Sequence, residues 1–307
     1  MARNTYLALE PNFIPAKKSK KKIVLSIIYY TIGISLSLLF ILPLLYMFAA
    51  STKSDEAIGI ANSSGSILMF LPDFTSASQF FTNYKEAMFG KYEIWRYAIN
   101  SLIYASISIV FNVLINGLAG YVLAKFRFPG KGFFNFLILF LIIVPVETSI
   151  VPLWLIIKVM LNLNSYVSVV LPSIISIFNI FLFTQFFSSI PKEYEEAMHI
   201  DGASRVRIFF DLILPLSKPI VATTMVFTFI GVWNDYLWPY MVVDKDITTN
   251  WPALSIQAGL TFLQSDGLFP VGAKMASLVI TTIPIFVIYA AAQKYIVKGF
   301  GTAGLKM

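Results

Sequence analysis

Two short stretches place chemically capable side chains inside long apolar runs. "VPVETSIVP" carries Glu147 between Pro145 and Pro152, and "WNDYLWP" carries Asn234 and Asp235 between Trp233 and Trp238. A carboxylate at the centre of a bilayer costs about 2.5–3.5 kcal/mol even on insertion scales, so each group needs a reason to be there. Carboxylates and amides exchange hydrogen bonds with hydroxyl groups, and indole rings cover apolar faces, so Glu147, Trp233, Asn234 and Asp235 could line a path for a polar solute. They could also bond one helix to another inside a bundle, or lie near an interface at the outer end of a span. A third stretch, Tyr194–Leu216, gathers Glu195, Glu196, Asp201, Arg205, Arg207 and Asp211 between apolar segments.

Other chemical signals are weak. The single histidine, His199, cannot build a zinc site alone, and a chain without cysteine has neither disulfides nor thiolate metal sites. Gly299, Gly301 and Gly304 form a literal G-x-G-x-x-G, but no acidic residue follows about 20 positions on, as a dinucleotide fold requires. That segment reads as a flexible tail. No G-x-x-x-x-G-K-[ST] occurs, so ATP is not bound here in a P-loop and any energy for work must come from a partner. No cofactor is called for.

The elements that carry these residues are apolar helices. Of 307 residues, 57% are hydrophobic and 13% charged, with a mean hydropathy of +0.76, too little polar surface for a soluble protein of this length. Six segments can each cover about 30 Å of hydrocarbon: Ile23–Ala50, Tyr97–Ala124, Phe133–Ile157, Tyr166–Phe187, Pro219–Val243 and Met275–Val297. The first is too long for a signal peptide and follows a polar leader. Placing the N-terminus in the cytoplasm gathers Arg3, Lys17, Lys18, Lys20, Lys21, Lys22, Lys125, Arg127, Lys131, Lys192, Arg205, Arg207, Lys218, Lys294, Lys298 and Lys306 on one side. The positive-inside rule therefore puts both termini in the cytoplasm. The net charge of +7 follows from that orientation and does not call for nucleic acid. The "KKSKKK" run anchors the leader against membrane lipid. The domains are then a tail at 1–22, a six-span region at 23–297 and a tail at 298–307.

On this topology Tyr194–Leu216 lies in a cytoplasmic loop spanning 190–217. Ser188, Ser189 and Pro191 are helix-start residues, and Glu193, Glu195 and Glu196 occupy first turns, where the helix dipole favours carboxylates. Tyr194, Ala197 and Met198 share a face by spacing. Asp201-Gly202 breaks the helix. Val206, Phe209, Phe210 and Ile213 form the stripe of a second amphipathic helix. By itself this hairpin could be an ordinary connector on the membrane surface.

The spacing adds more. Glu196-Ala197-Met198, three residues, Gly202, nine residues and Leu212-Ile213-Leu214-Pro215 resemble the EAA signature of ABC importer permeases, E-A-A-x3-G-x9-I-x-L-P. Met198 and Leu212 depart from it by apolar swaps. "LAGYVLAKFRFPGKGFF" and "WNDYLWP" resemble motifs of the carbohydrate-uptake subclass, and "KYIVKGFGTAGLKM" is similar to the tail of its MalG-type subunit. The resemblance implies an all-α membrane protein with the type I importer bundle of six helices. It also implies a sugar-importing permease without enzymatic activity, working beside a second permease subunit, two ATPase subunits and an extracytoplasmic sugar-binding protein. Glu195, Glu196, Ala197, Asp201, Gly202 and Ala203 would form the coupling helix region that docks on the ATPase, and Lys298, Gly299, Gly301 and Gly304 a tail touching the ATPase dimer. Two alternatives stay open: a permease for another solute class, or a membrane-embedded glycan or lipid enzyme using Glu147 and Asp235.

Overall fold

A computed structural model describes residues 20–74, 77–244, 253–265, 267 and 269–303, and all regular structure among them is helical. The leader before residue 20 and Gly304 lie outside the described residues. The chain divides into two units, Met1–Tyr46 and Met47–Met307. The first contributes most of α1 (Lys20–Ser51), whose residues from Val24 to Leu45 are apolar and largely exposed on every side, a surface suited to hydrocarbon rather than water.

The second unit begins with α2 (Asp55–Ser63) and α3 (Ala77–Phe89). α3 packs on the last helix, α15 (Val271–Ala303). The Asp55 carboxylate accepts the backbone N–H groups of Val271 and Gly272 at 3.1 and 2.8 Å, satisfying orphan donors at the start of α15. In α3, Tyr84 and Met88 pack inward while Phe81 is exposed.

α4 (Ile94–Lys125) is the axis of the unit and packs on α8 (Ile177–Ser188) and α12 (Lys218–Asn234). Gly120 makes the α4–α8 contact possible, because a Cβ there would stand 2.6 Å from the Phe183 Cβ.

Four helical stretches are individually long and apolar enough to cross a membrane: Val24–Ser51, Ile94–Lys125, Ser165–Ser188 and Val271–Gln293. Two more helix pairs pass together but are bent, giving up to six. The segment expected as one span at Phe133–Ile157 is one of them. α5 (Lys131–Ile143) and the run from Val146 to Met160, which includes α6 (Ile150–Trp154), meet at 97°. Pro145 explains the break: it lacks an N–H and drives Val144 to extended backbone, at φ −74° and ψ 120°. The fourth segment is α7 (Ser165–Ser173) followed by α8, joined through an irregular link. The fifth ends its long helix at Asn234, has Asp235 in extended backbone and resumes as α13 (Leu237–Val242). α14 (Ile256–Ser265) follows. α15 stays helical through Ala303, so Gly299 and Gly301 lie in a helix and not in a loose tail.

Candidate functional site

Between the α4, α8 and α12 walls and the bend after α5 lies a cavity of about 610 Å3. Its walls are mostly aliphatic and aromatic, interrupted by Asn112, Ser173, Ser176, Asn179, Thr228 and Asp235. Asn112 falls near the middle of the 32-residue α4, so the polar belt is far from both ends of that span. The Asn179 amide donates to Asn112 Oδ1 at 2.8 Å and to Thr228 Oγ1 at 3.1 Å, joining α4, α8 and α12. Its own Oδ1 is buried and has no partner among the described residues, an acceptor left available in an apolar setting. One turn along α4, Asn116 donates to the Ile174 carbonyl at 3.1 Å and accepts the Ser176 N–H at 3.2 Å. It thereby replaces main-chain bonds lost where α7 ends and α8 has not begun, the condition for irregular backbone inside a membrane.

Of the candidates picked from sequence, Asp235 alone is in the wall of this cavity. Asp235 Oδ1 also accepts the Trp238 N–H at 3.3 Å, capping α13. Trp233 is 1% exposed, stacks on Phe229 and donates its indole N–H to the Thr281 carbonyl at 3.0 Å, so it is a core residue linking α12 to α15. Asn234 and Glu147 are exposed, with Glu147 on the bend beside the wall residues Val144 and Val146. Sequence reasoning missed Asn112, Asn179 and Thr228. Two asparagines in the middle of apolar segments carry the same signal as Glu147 in a weaker form.

The charged stretch folds as α9 (Glu193–Ile200), a turn, and α10 (Arg205–Ile208), continued by a π turn over Phe209–Ile213 and by α11 (Leu214–Leu216). Gly202 ends α9 at φ +80°, the left-handed conformation glycine adopts without strain. Ser204 then caps α10 by accepting the Arg207 N–H.

The π turn redraws the inner face. Ile208, Phe209 and Ile213 are fully buried, whereas Val206 and Phe210, expected on the same stripe, are exposed. α9 likewise turns Glu195 and Met198 inward and leaves Tyr194 and Ala197 outside. Ala203 is buried with that inner cluster. Glu196, Ala197, His199, Asp201 and Gly202 are exposed, and Ile200 projects with 86% of its surface open.

Beside α9 a recess of about 440 Å3 is lined by Lys125, Arg127, Lys192 and Arg205 together with Glu195, Glu196 and His199. Glu195 is its buried corner. Lys125 Nζ lies 3.0 Å from Glu195 Oε1, the Tyr121 hydroxyl donates to Oε2 at 3.1 Å, and Arg205 Nη1 stands 3.9 Å from Oε2.

A helical bundle with bent spans, a polar cavity at mid-span and a charged hairpin on the end of its central helix has counterparts among known proteins. Residues 116–301 match the family described as "Binding-protein-dependent transport system inner membrane component". The chain belongs to this family. It is a multi-pass membrane component of an ABC importer, a class of transport subunit that works with an ATPase and a substrate-binding protein. Over 282 residues it is 30% identical to the arabinooligosaccharides transport system permease protein AraQ of Halalkalibacterium halodurans, covering 90% of this chain and 95% of that one. Over 205 residues it is 36% identical to the sn-glycerol-3-phosphate transport system permease protein UgpE of Salmonella typhi, covering 67% of this permease and 72% of that one. A crystal structure of a bacterial ABC transporter involved in the import of the acidic polysaccharide alginate superposes with a TM-score of 0.72 at 23% identity. The match covers 91% of this permease and 99% of that chain, and shows the shared fold.

Proposed function

We propose that this permease is one of two membrane-spanning subunits of an ATP-driven sugar importer, with both termini in the cytoplasm. It would work beside a second permease, two ATPase subunits and an extracytoplasmic sugar-binding protein. The outer face of α9 forms the docking surface for the ATPase. The observation that carries this is a helix whose EAA-like positions Glu196, Ala197 and Gly202 face outward beside an exposed Ile200, while its root is bonded into the bundle. A surface-lying connector would turn its apolar side chains toward lipid; here Ile200 and the carboxylates project together, as an interface anchor with a polar rim does. In this reading ATP closes the ATPase dimer, the hairpins move with it and the cavity alternates between the two sides. The helical end of α15 at Gly299 and Gly301 extends toward the same ATPase.

The substrate reading rests on the cavity and on the arabinooligosaccharide relative. Amides and hydroxyls from Asn112, Asn179, Ser173, Ser176 and Thr228 suit a polyhydroxylated solute, and aliphatic and Phe side chains suit its apolar faces. The glycerol-phosphate relative favours an anionic substrate instead. Yet among the described residues the cavity wall contains Asp235 and no lysine, arginine or histidine, a poor setting for a desolvated phosphate. Neutral oligosaccharides are therefore the preferred class. Substrate-stimulated ATP hydrolysis by the reconstituted complex, assayed with arabinotriose, glycerol 3-phosphate and alginate trisaccharide, tests this. Stimulation by the phosphate ester alone would overturn the sugar reading.

A further inference from the structure

Among the described residues, Glu195 is the only acidic side chain that is buried, at 5% exposure. A residue in the EAA segment is expected to face the ATPase, and this one cannot. Its carboxylate points into the bundle, and its partners come from two other helices. Tyr121 and Lys125 come from the last turns of α4, and Arg205 from the start of α10. Lys125 Nζ also donates to the Ile190 carbonyl at 2.5 Å, on the link from α8 into α9. Arg205 in turn lies over the Phe126 ring, 5.4 Å from its centroid. The side chains of Lys125 and Glu195 are 4% and 6% exposed, at the inner corner of the recess beside α9.

We propose that Glu195 is the positioning residue that converts movement of the hairpin into movement of α4. This rests on the reading that the outer face of α9 docks on the ATPase. The apolar cluster of Phe183, Phe187, Ile208, Phe209 and Ile213 holds the hairpin against the bundle, but apolar contact is non-directional and allows sliding. The Tyr121 hydrogen bond to Oε2 is directional, and parting a buried carboxylate from the ammonium 3.0 Å from its other oxygen is costly, so α9 and α4 keep one register. α4 carries the effect onward: Asn112 sits about 20 Å up the same helix, at 1.5 Å per residue, where it bonds Asn179. Glu195 thus stands at one end of a continuous packed path from the ATPase-facing surface to the cavity.

The test uses the full importer in liposomes. Glu195→Gln keeps the shape and an acceptor for Tyr121 while removing the charge that holds Lys125. The ATPase should still co-purify and hydrolyse ATP, while substrate moved per ATP falls about tenfold, within the usual range of coupling between sites. Because the chain has no cysteine, Glu195→Cys with Lys125→Cys gives a second handle. That pair should be uncoupled when untreated, and a short bifunctional thiol cross-linker should restore transport per ATP. Wild-type stoichiometry in Glu195→Gln overturns the proposal. So does a cross-linked pair that remains uncoupled although the ATPase stays bound. Failure of the docking reading looks different: Ile200→Asp and Glu196→Lys would then leave transport and ATPase retention intact whatever Glu195 does.

Discussion

The hairpin root and the mid-span cavity both interrupt an apolar helical bundle, and they do so in opposite ways. At the root, one buried carboxylate has an ammonium, a phenol and a nearby guanidinium around it, set over close-packed phenylalanines. In the cavity, uncharged amides and hydroxyls bond one another across α4, α8 and α12 and leave the Asn179 carbonyl oxygen without a partner among the described residues. The charged cluster is tied by ion pairs and the Tyr121 bond at a packed joint and moves as a block, although Glu195 Oε1 accepts no hydrogen bond; the amide belt lies beside empty volume and can accept hydrogen bonds from something else. The first suits a lever and the second a passage. If that contrast is right, changes at the root should cost stability or coupling, and changes in the cavity should mainly alter what passes.

The largest effect should come from stranding the buried charge. Lys125→Met leaves the Glu195 carboxylate without its closest cation and should lower stability by about 3 kcal/mol, as removing one partner of a buried pair does. Thermal unfolding of the detergent-purified complex measures it. Glu195→Gln combined with Lys125→Met should cost clearly less than the two single changes added together, because the stranded charge is gone. Additive losses would mean the two side chains contribute separately, and the lever description would fail.

Next comes the tip. A Cβ at Gly202 meets nothing within 4 Å, so substitution there acts through backbone strain alone. At φ +80°, valine should cost about 1–3 kcal/mol of local strain and turn α9 away from its docking direction. Transport by Gly202→Val should collapse with every span still inserted, and Gly202→Asn, which tolerates left-handed backbone, should retain more activity. Equal behaviour of the two variants would show that the turn conformation does not matter.

How far this contrast could be read in advance depends on whether a feature is local. The break at Gly202 was legible because glycine after a short helix is a chain-local signal, and the apolar lengths outlined the long helical segments. The 97° bend after Ile143 was not, although Pro145 was visible, because a hydropathy window averages over direction. The inner face of α10 was misjudged because the π turn at Phe209–Ile213 shifts the register that an ideal helix would keep. Glu195 could be placed in the right segment, but its inward aim depends on Tyr121 and Lys125, some seventy positions earlier, and no local pattern pairs residues at that distance.

The smallest effect on stability should come from the cavity, and it distinguishes the two regions most sharply. Asn179→Leu removes two hydrogen bonds, but it also removes the orphaned carbonyl oxygen, and the walls around it are already apolar. Leucine strands the buried Asn112 Oδ1 while removing the orphaned oxygen of Asn179, so the loss should be about 1 kcal/mol, at the low end of the cost of an unsatisfied buried acceptor and below that of Lys125→Met. Uptake should respond more. A solute hydroxyl that donated to Asn179 Oδ1 would lose its acceptor, and Thr228 would lose the donor that fixes its rotamer. Transport rate should therefore fall at saturating binding protein while basal ATP hydrolysis and ATPase retention stay as they were. Asp235→Asn should act in the same direction and more weakly, because the amide keeps an oxygen able to cap α13. If Asn179→Leu instead unfolds the complex as readily as Lys125→Met does, the belt of amides is a structural clamp like the root, and the cavity has no special claim to be the passage.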